Sequence, residues 1–338
     1  MAAPRKSAET RGSVAEPAAN LLMCGLPRSG TSLTRGLVAA HPVYAVPRRE
    51  MAWWVSLYPR FRRRPGEWER FLAALAADAK TATLALDQRA LRARLVDVPR
   101  GAHHEAFAAV LALYAEQARR PRWGEKTLFA EVYAGDVLRA LPDVKVIHVV
   151  RDPRDVYASY RHAAWRGNAP GWWGRAKARV HGHLAWTLRN WRTSVALARQ
   201  QAAEWPARYR VVRYEDLVRD PAATLQHLCA FAGVPYEARM LALDAYPDLT
   251  ERQGNSSFGP LEGVSTAPIG RFTSVLSPRA IALCERLAGD ELTANGYAPA
   301  GVRLPRSDAW RVRLVDRAVS RVVASIHDAA FRRQGVPR

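Results

Sequence analysis

The chain has 338 residues, 49% of them hydrophobic, with 51 Lys and Arg against 31 Asp and Glu and a formal net charge of +20. That is enough apolar material for one large α/β domain or two modest ones, and it excludes a wholly disordered chain. No stretch approaches the roughly 18 uninterrupted apolar residues of a membrane span, and Cys24, Cys229 and Cys284 lack the CxxC spacing of a zinc site or the density of a disulfide framework.

Residues 1–19 carry Arg5, Lys6, Glu9, Arg11 and Glu16 and no apolar core of a secretory signal, so a disordered N-terminal arm is expected. The sparse cysteines suit a reducing compartment, and the expected location is cytoplasmic. A field of +20 attracts polyanions: nucleic acid, anionic lipid or small phosphorylated ligands. Part of it is the Ala- and Arg-heavy composition that a GC-rich coding sequence produces. The arginines are scattered, without a finger, homeodomain or RNA-recognition signature, so no nucleic-acid partner is expected.

Leu21, Leu22, Met23 and Cys24 form an apolar run that stops at a turn built from Gly25, Pro27 and Gly30. An amphipathic run over 31–40 follows, closed by His41 and Pro42. The pattern predicts strand, tight loop and helix. Such a loop can aim backbone N–H groups and a helix N-terminus at a phosphate, with charge from Arg28 and hydroxyls from Ser29, Thr31 and Ser32. Gly25 and Gly30 have the spacing of a nucleotide-triphosphate P-loop, yet Thr31 stands where that loop has its Lys. ATP or GTP hydrolysis is therefore disfavoured. On its own, the stretch also fits an ordinary Gly/Pro turn.

Residues 44–50 read as a loop or short strand across the sheet top. Trp53 and Trp54 either wall an acceptor pocket or simply pack. Helical spacing recurs over 67–79 and 102–117, and His103, His104 and Glu105 read as a helix's first turn, with Glu at the positive dipole end. Val144 to Val150 has the near-continuous apolar character of a buried parallel strand. Asp152 and Pro153 then suit the N-cap and N1 positions of a helix through Tyr160. Residues 161–174 hold Trp165, Trp172 and Trp173 among glycines and arginines, a candidate acceptor lid. A helix over 181–200, a buried strand over 209–214, a helix over 222–232 stopped by Gly233, and a capped helix over 278–288 complete the alternation. In the tail, Trp310, Leu314, Ala318, Val322 and Ile326 recur every four residues with Arg opposite. This basic amphipathic helix could lie on an anionic membrane surface, or pack on the domain or on a second subunit of a homodimer.

Several blocks together resemble one family. Pro27-Arg28-Ser29-Gly30-Thr31-Ser32-Leu33 is similar to the 5′-phosphosulfate-binding loop of sulfotransferases that use PAPS (3′-phosphoadenosine 5′-phosphosulfate), and the stretch from Arg35 to Pro42 resembles their carbohydrate and protein-tyrosine branch. Val149 to Ser159 resembles their 3′-phosphate motif, which implies that Arg151 and Ser159 bind the 3′-phosphate. Gly124-Glu125-Lys126-Thr127 resembles G-[DE]-K-T-P, with Leu128 in place of Pro. By this resemblance Lys126 and Arg28 stabilise charge on the transferring group. Arg213-Tyr214-Glu215-Asp216-Leu217 resembles the third block, with Tyr214 against the adenosine. Asn255 to Phe258 and Ile269 to Phe272 resemble the late loop over the cofactor, and Arg271 is the residue carried over. Glu50 falls near the family's catalytic Glu, where it could take the acceptor's proton. The register also admits Arg49 there, and His104 is the second candidate base.

The expectation is an α/β, P-loop-like three-layer fold with a central parallel sheet and helical insertions around the acceptor site. The resemblance covers roughly 20–298 and leaves 299–338 as a basic C-terminal extension. It implies transfer of a sulfuryl group from PAPS to a glycan, phenol, tyrosine or lipid hydroxyl, leaving PAP, with no metal expected. The rival readings are a P-loop kinase or other phosphotransferase, and a non-catalytic nucleotide- or nucleic-acid-binding module.

Overall fold

The strand at the phosphate-loop stretch has no polar side, so it is stable only between two layers. The computed structural model, which describes residues 18–51, 53–161, 183–242 and 264–302, places it so. In β1 (Asn20–Gly25) every residue is buried. Leu21 and Met23 join one hydrophobic cluster with Leu37, Val38 and Leu225, while Leu22 and Cys24 join another with Phe107 and Trp123. The alternation is the period of a strand sending successive side chains to opposite faces.

Four more strands pair with it in parallel: β2 (Tyr44–Ala45), β3 (Arg122–Lys126), β4 (Val144–Val150) and β5 (Tyr209–Arg213), in the order β2-β3-β1-β4-β5. The chain fills the β2–β3 side first and then crosses to β4 and β5. The change of direction therefore falls at the C-terminal ends of β1 and β4, where open α/β sheets bind ligands. The register levels these ends, Gly25 pairing with Val149 and Met23 with Lys126.

Helices cover both faces. On one lie α1 (Thr31–Ala39) and, from the second half of the chain, Pro221–Ala232; on the other lies α2 (His103–Gln117). A third cluster joins α3 (Pro153–Arg161), α4 (Leu184–Glu204) and α5 (Pro278–Ala288) through Ala158, Leu188, Trp191, Ile281 and Cys284. The caps follow the sequence. Asp152 Oδ1 accepts from Arg154 N, Ser277 accepts from Ala280 N, and Gly233 ends its helix at φ +76°.

The structure corrects three expectations and decides one alternative, that for Trp53 and Trp54. The helix over 67–79 stops as Trp68–Ala76, because Asp78 turns out of line and caps a new turn, Ala79–Ala82. The strand over 209–214 is half-exposed rather than buried, with Arg210 in solvent, because among the described residues β5 pairs with β4 alone. Trp53 and Trp54 are fully buried against Phe71 and Phe107 and act as packing. Ala19, assigned to the N-terminal arm, is buried and donates its N–H to Ala232 O. Residues 1–17, the candidate lid, the 255–258 segment and the basic tail lie outside the described residues. No described helix is long and apolar enough to cross a membrane.

Candidate active site

The loop after β1 is shaped by two glycines and one strained arginine. Gly25 has φ +137°, and a Cβ there would stand 2.5 Å from Val149 O. Gly30 has φ +97°, and a Cβ would stand 2.3 Å from Tyr214 Cδ2. Arg28 lies in the left-handed region at φ +73°, a conformation that costs a non-glycine residue about 1–3 kcal/mol and gathers at functional sites. Gly30 is also the N-cap of α1, with no side-chain hydrogen bond capping the first turn. A nine-residue helix entered in this way offers its N-terminal N–H groups to an anion.

Level sheet ends bring the second basic block onto this loop. Arg28 Nε donates to Ser159 Oγ at 2.9 Å, and Arg151 Nη1 donates to Arg28 O at 3.0 Å. Arg151 also lies over the Tyr214 ring, 4.4 Å from its centroid, and donates through Nη2 to Pro268 O at 2.7 Å. Its carbonyl accepts from Trp191 Nε1 at 2.9 Å, which fixes the backbone where β4 ends. Burial, with the Arg151 charge second, pushes the Arg28 guanidinium down to about 10, which still leaves it charged at neutral pH. Two desolvated like charges on one edge make a site that favours an anion. The late loop is tied in by Asp155, which accepts from Gly270 N at 2.7 Å and Phe272 N at 2.8 Å. Arg271 lies between those two residues.

Across β1, the end of β3 carries Lys126. Its side chain is 5% exposed, and its ammonium donates to Glu50 Oε2 at 3.0 Å. Burial lowers the Lys126 pKa and Glu50 works against that; Arg35, buried in α1, adds a further downward push. Lys80 reaches Glu50 Oε1 at 3.9 Å. Beneath them Glu125 is fully buried, accepting from Met51 N at 3.1 Å and Thr127 Oγ1 at 2.6 Å. Desolvation pushes its carboxyl up to about 7.

The structure thus joins Arg28, Ser159, Arg151 and Tyr214 in one group and Glu50 with Lys126 in another. Pro27, Ser29 and Ser32 belong to the loop and first turn, with Thr31 opening α1. His104 sits elsewhere, edge-on to Tyr58 with centroids 4.7 Å apart and near Trp54 at 5.8 Å. Burial drives its pKa down to about 4, which keeps it neutral and makes it a weak base.

Sequence reasoning passed over Asp155, Glu125 and Arg35 as mere members of motifs. It also missed a buried chain of four side chains: Tyr209 to His148 Nδ1 at 2.7 Å, His148 Nε2 to Ser194 at 2.9 Å, and Ser194 to Glu131 at 2.9 Å. With Ser194 donating to Glu131, Nε2 carries the His148 proton and Nδ1 accepts from Tyr209. A polar His inside an apolar strand run, Val144 to Val150, was the available signal.

A family model described as "Sulfotransferase family" matches residues 20–238. Human "Carbohydrate sulfotransferase 3" is 36% identical over 102 residues, covering 28% of this chain and 21% of that protein. Rat "Carbohydrate sulfotransferase 1" is 28% identical over 178 residues, 47% of this chain and 41% of that protein. In both cases the match covers less than half of the relative's length. Among solved structures, the sulfotransferase domain from the Synechococcus PCC 7002 olefin synthase superposes with a TM-score of 0.54 at 21% identity, covering 88% of this chain and 100% of that one. The sulfotransferase domain from the curacin biosynthetic pathway gives 0.53 at 17% identity, with 83% and 99% covered. At such identities the likeness speaks for the fold.

Proposed function

Because this chain belongs to the sulfotransferase family, we propose that it transfers a sulfuryl group from PAPS to an acceptor hydroxyl by in-line displacement. The single observation that carries this reading is the convergence of Arg28 and Arg151, linked through the Arg28 carbonyl, at an α1 N-terminus without a side-chain cap. Two arginines meeting on one sheet edge suit a ligand that carries two anionic groups, and the Glu50–Lys126 pair on the other side of β1 suits the transfer itself.

The donor supplies the sulfuryl group and leaves as PAP. Arg28, Ser29, Gly30, Thr31 and Ser32 would hold its 5′ side through amides, hydroxyls and charge, with Pro27 shaping the turn. Arg151, Ser159 and Arg271 would hold the 3′-phosphate, and Tyr214 the adenosine. Lys126 would stabilise charge as the bond to sulfur breaks, a term worth about 10²–10³ in rate for one well-placed donor. Glu50 would take the acceptor's proton. A carboxylate has lone pairs to spare, so it can keep Lys126 and still accept. Glu50 is preferred over His104 because it shares the Lys126 ion pair, whereas His104 is wrapped in aromatic rings.

The relatives' names make a carbohydrate hydroxyl the first acceptor class to test, with phenols and lipid-linked hydroxyls after it. The test is thermal unfolding with PAP and with MgATP, followed by transfer from labelled PAPS to that acceptor panel. PAP at a hundred times its Kd should stabilise the fold by about 2.7 kcal/mol. Stabilisation by MgATP and none by PAP would overturn the reading.

A further inference from the structure

Asp155 is the second acidic residue of the Arg151-to-Ser159 block, and nothing in the proposed chemistry uses it. It is 2% exposed and lies in the first turn of α3. Its two oxygens are both committed to the backbone of one distant loop. Oδ2 accepts from Gly270 N at 2.7 Å and Oδ1 from Phe272 N at 2.8 Å, across more than a hundred residues of sequence. Gly270, at φ +70°, makes the turn that presents both N–H groups to one carboxylate. The residue between them is Arg271. A second tie runs in parallel, from Arg151 Nη2 to Pro268 O.

We propose that Asp155 is a positioning residue that fixes Arg271 against the 3′-phosphate site by clamping the N–H groups on either side of it. The inference rests on the PAPS reading above. Both clamp and ligands stand on one short stretch: Arg151 precedes α3, Asp155 lies in its first turn and Ser159 in its last. The Arg271 backbone therefore moves with the residues that grip the same phosphate. A guanidinium on a free loop must be ordered at the moment of binding; one held at both flanking amides loses less freedom on binding. Carboxylate-to-amide bonds are charge-assisted, which makes them stiffer than a neutral turn.

The experiment compares PAP with adenosine 5′-phosphate, which lacks the 3′-phosphate, in native protein and in Asp155→Asn, Asp155→Ala, Arg271→Ala and the Asp155→Asn/Arg271→Ala double variant. Binding is read by calorimetry and by competition. Asp155→Asn keeps one acceptor and turns an amide against the other N–H, so it tests the clamp even where Asp155→Ala fails to fold. PAP affinity should fall about tenfold in Asp155→Asn, the loss expected for a charge-assisted hydrogen bond, and adenosine 5′-phosphate affinity should hold within about twofold. In the Arg271→Ala background the Asp155 change should have little further effect on PAP. Equal loss for both ligands, or full additivity with Arg271→Ala, overturns the proposal. A native protein that binds the two ligands alike fails the PAPS reading itself, a distinct result.

Discussion

Lys126 Nζ and Glu50 Oε2 meet at 3.0 Å, although 76 residues separate them. Lys126 is nearly buried while Glu50 is 28% exposed, so the pair opens to solvent on the carboxylate side. On the reading proposed above, the acceptor hydroxyl approaches from that side. Glu50→Gln should lower kcat by about 10²–10⁴, the range for a lost general base, and spare PAP binding. Lys126→Ala should cost about 10²–10³ in kcat, again with PAP affinity close to native. Steady-state rates with calorimetric PAP titration check both. Full activity of Glu50→Gln would clear it of the base role.

Ser159 is tied to the loop after β1 by the 2.9 Å bond that Arg28 Nε donates to its Oγ. Ser159→Ala removes an acceptor that aims the Arg28 side chain as well as a hydroxyl that would meet a phosphate. PAP affinity should fall by about tenfold, a loss of the size expected for a hydrogen bond to a charged group. Arg28→Lys cannot reproduce the planar fork and should lose both PAP affinity and kcat. An Arg28→Lys enzyme with native constants would show that point charge alone suffices.

Gly30 tolerates no side chain for two separate reasons. Its φ of +97° strains any L-residue, and the new Cβ would enter the Tyr214 ring at 2.3 Å. Gly30→Ala should lower stability by about 1–3 kcal/mol from backbone strain alone, with the clash added. Gly30→Ala/Tyr214→Ala should recover the steric share and leave the backbone share. Urea midpoints of the two variants and of Tyr214→Ala separate the terms; a double variant destabilised by the full sum of the two single changes would show that the ring is not the obstacle.

Much of this site could be read from the sequence because its parts are local. Gly25, Gly30 and Thr31 announce a loop by spacing, and the Val144–Val150 run followed by Arg151, Asp152 and Pro153 announces strand and cap. Bringing Arg28 to Ser159 needs β1 and β4 to be neighbours in register, which composition does not encode. The same holds for Asp155, whose partners are backbone N–H groups. Backbone donors exist at every non-proline position, so no residue type marks the two that matter. Edge placement was equally invisible: Tyr209, Val211 and Val212 have a core strand's chemistry, yet among the described residues β5 pairs with β4 alone.

Two carboxyls beneath the site make stability depend on pH. Glu125 and Glu131 are both buried, and desolvation pushes each up from an ordinary 4.5 to about 7. A carboxyl with a raised native pKa binds its proton more tightly in the folded chain than in the unfolded one. Its contribution is therefore fully present below about pH 4.5 and is lost as pH rises through about 7. The loss is on the order of 3 kcal/mol for each group. Asp155, raised to about 6 chiefly by burial, acts in the same direction over a narrower range. Glu125→Gln and Glu131→Gln should each flatten the decline between pH 5 and 7.5, measured as urea midpoints against native protein in the same buffers. Glu125→Gln keeps an acceptor for Met51 N, and the Thr127 hydroxyl can turn to accept from the new amide, so its fold should survive. A native protein whose stability rises over that interval, or a glutamine variant with the native slope, would show that these carboxyls titrate near their ordinary values.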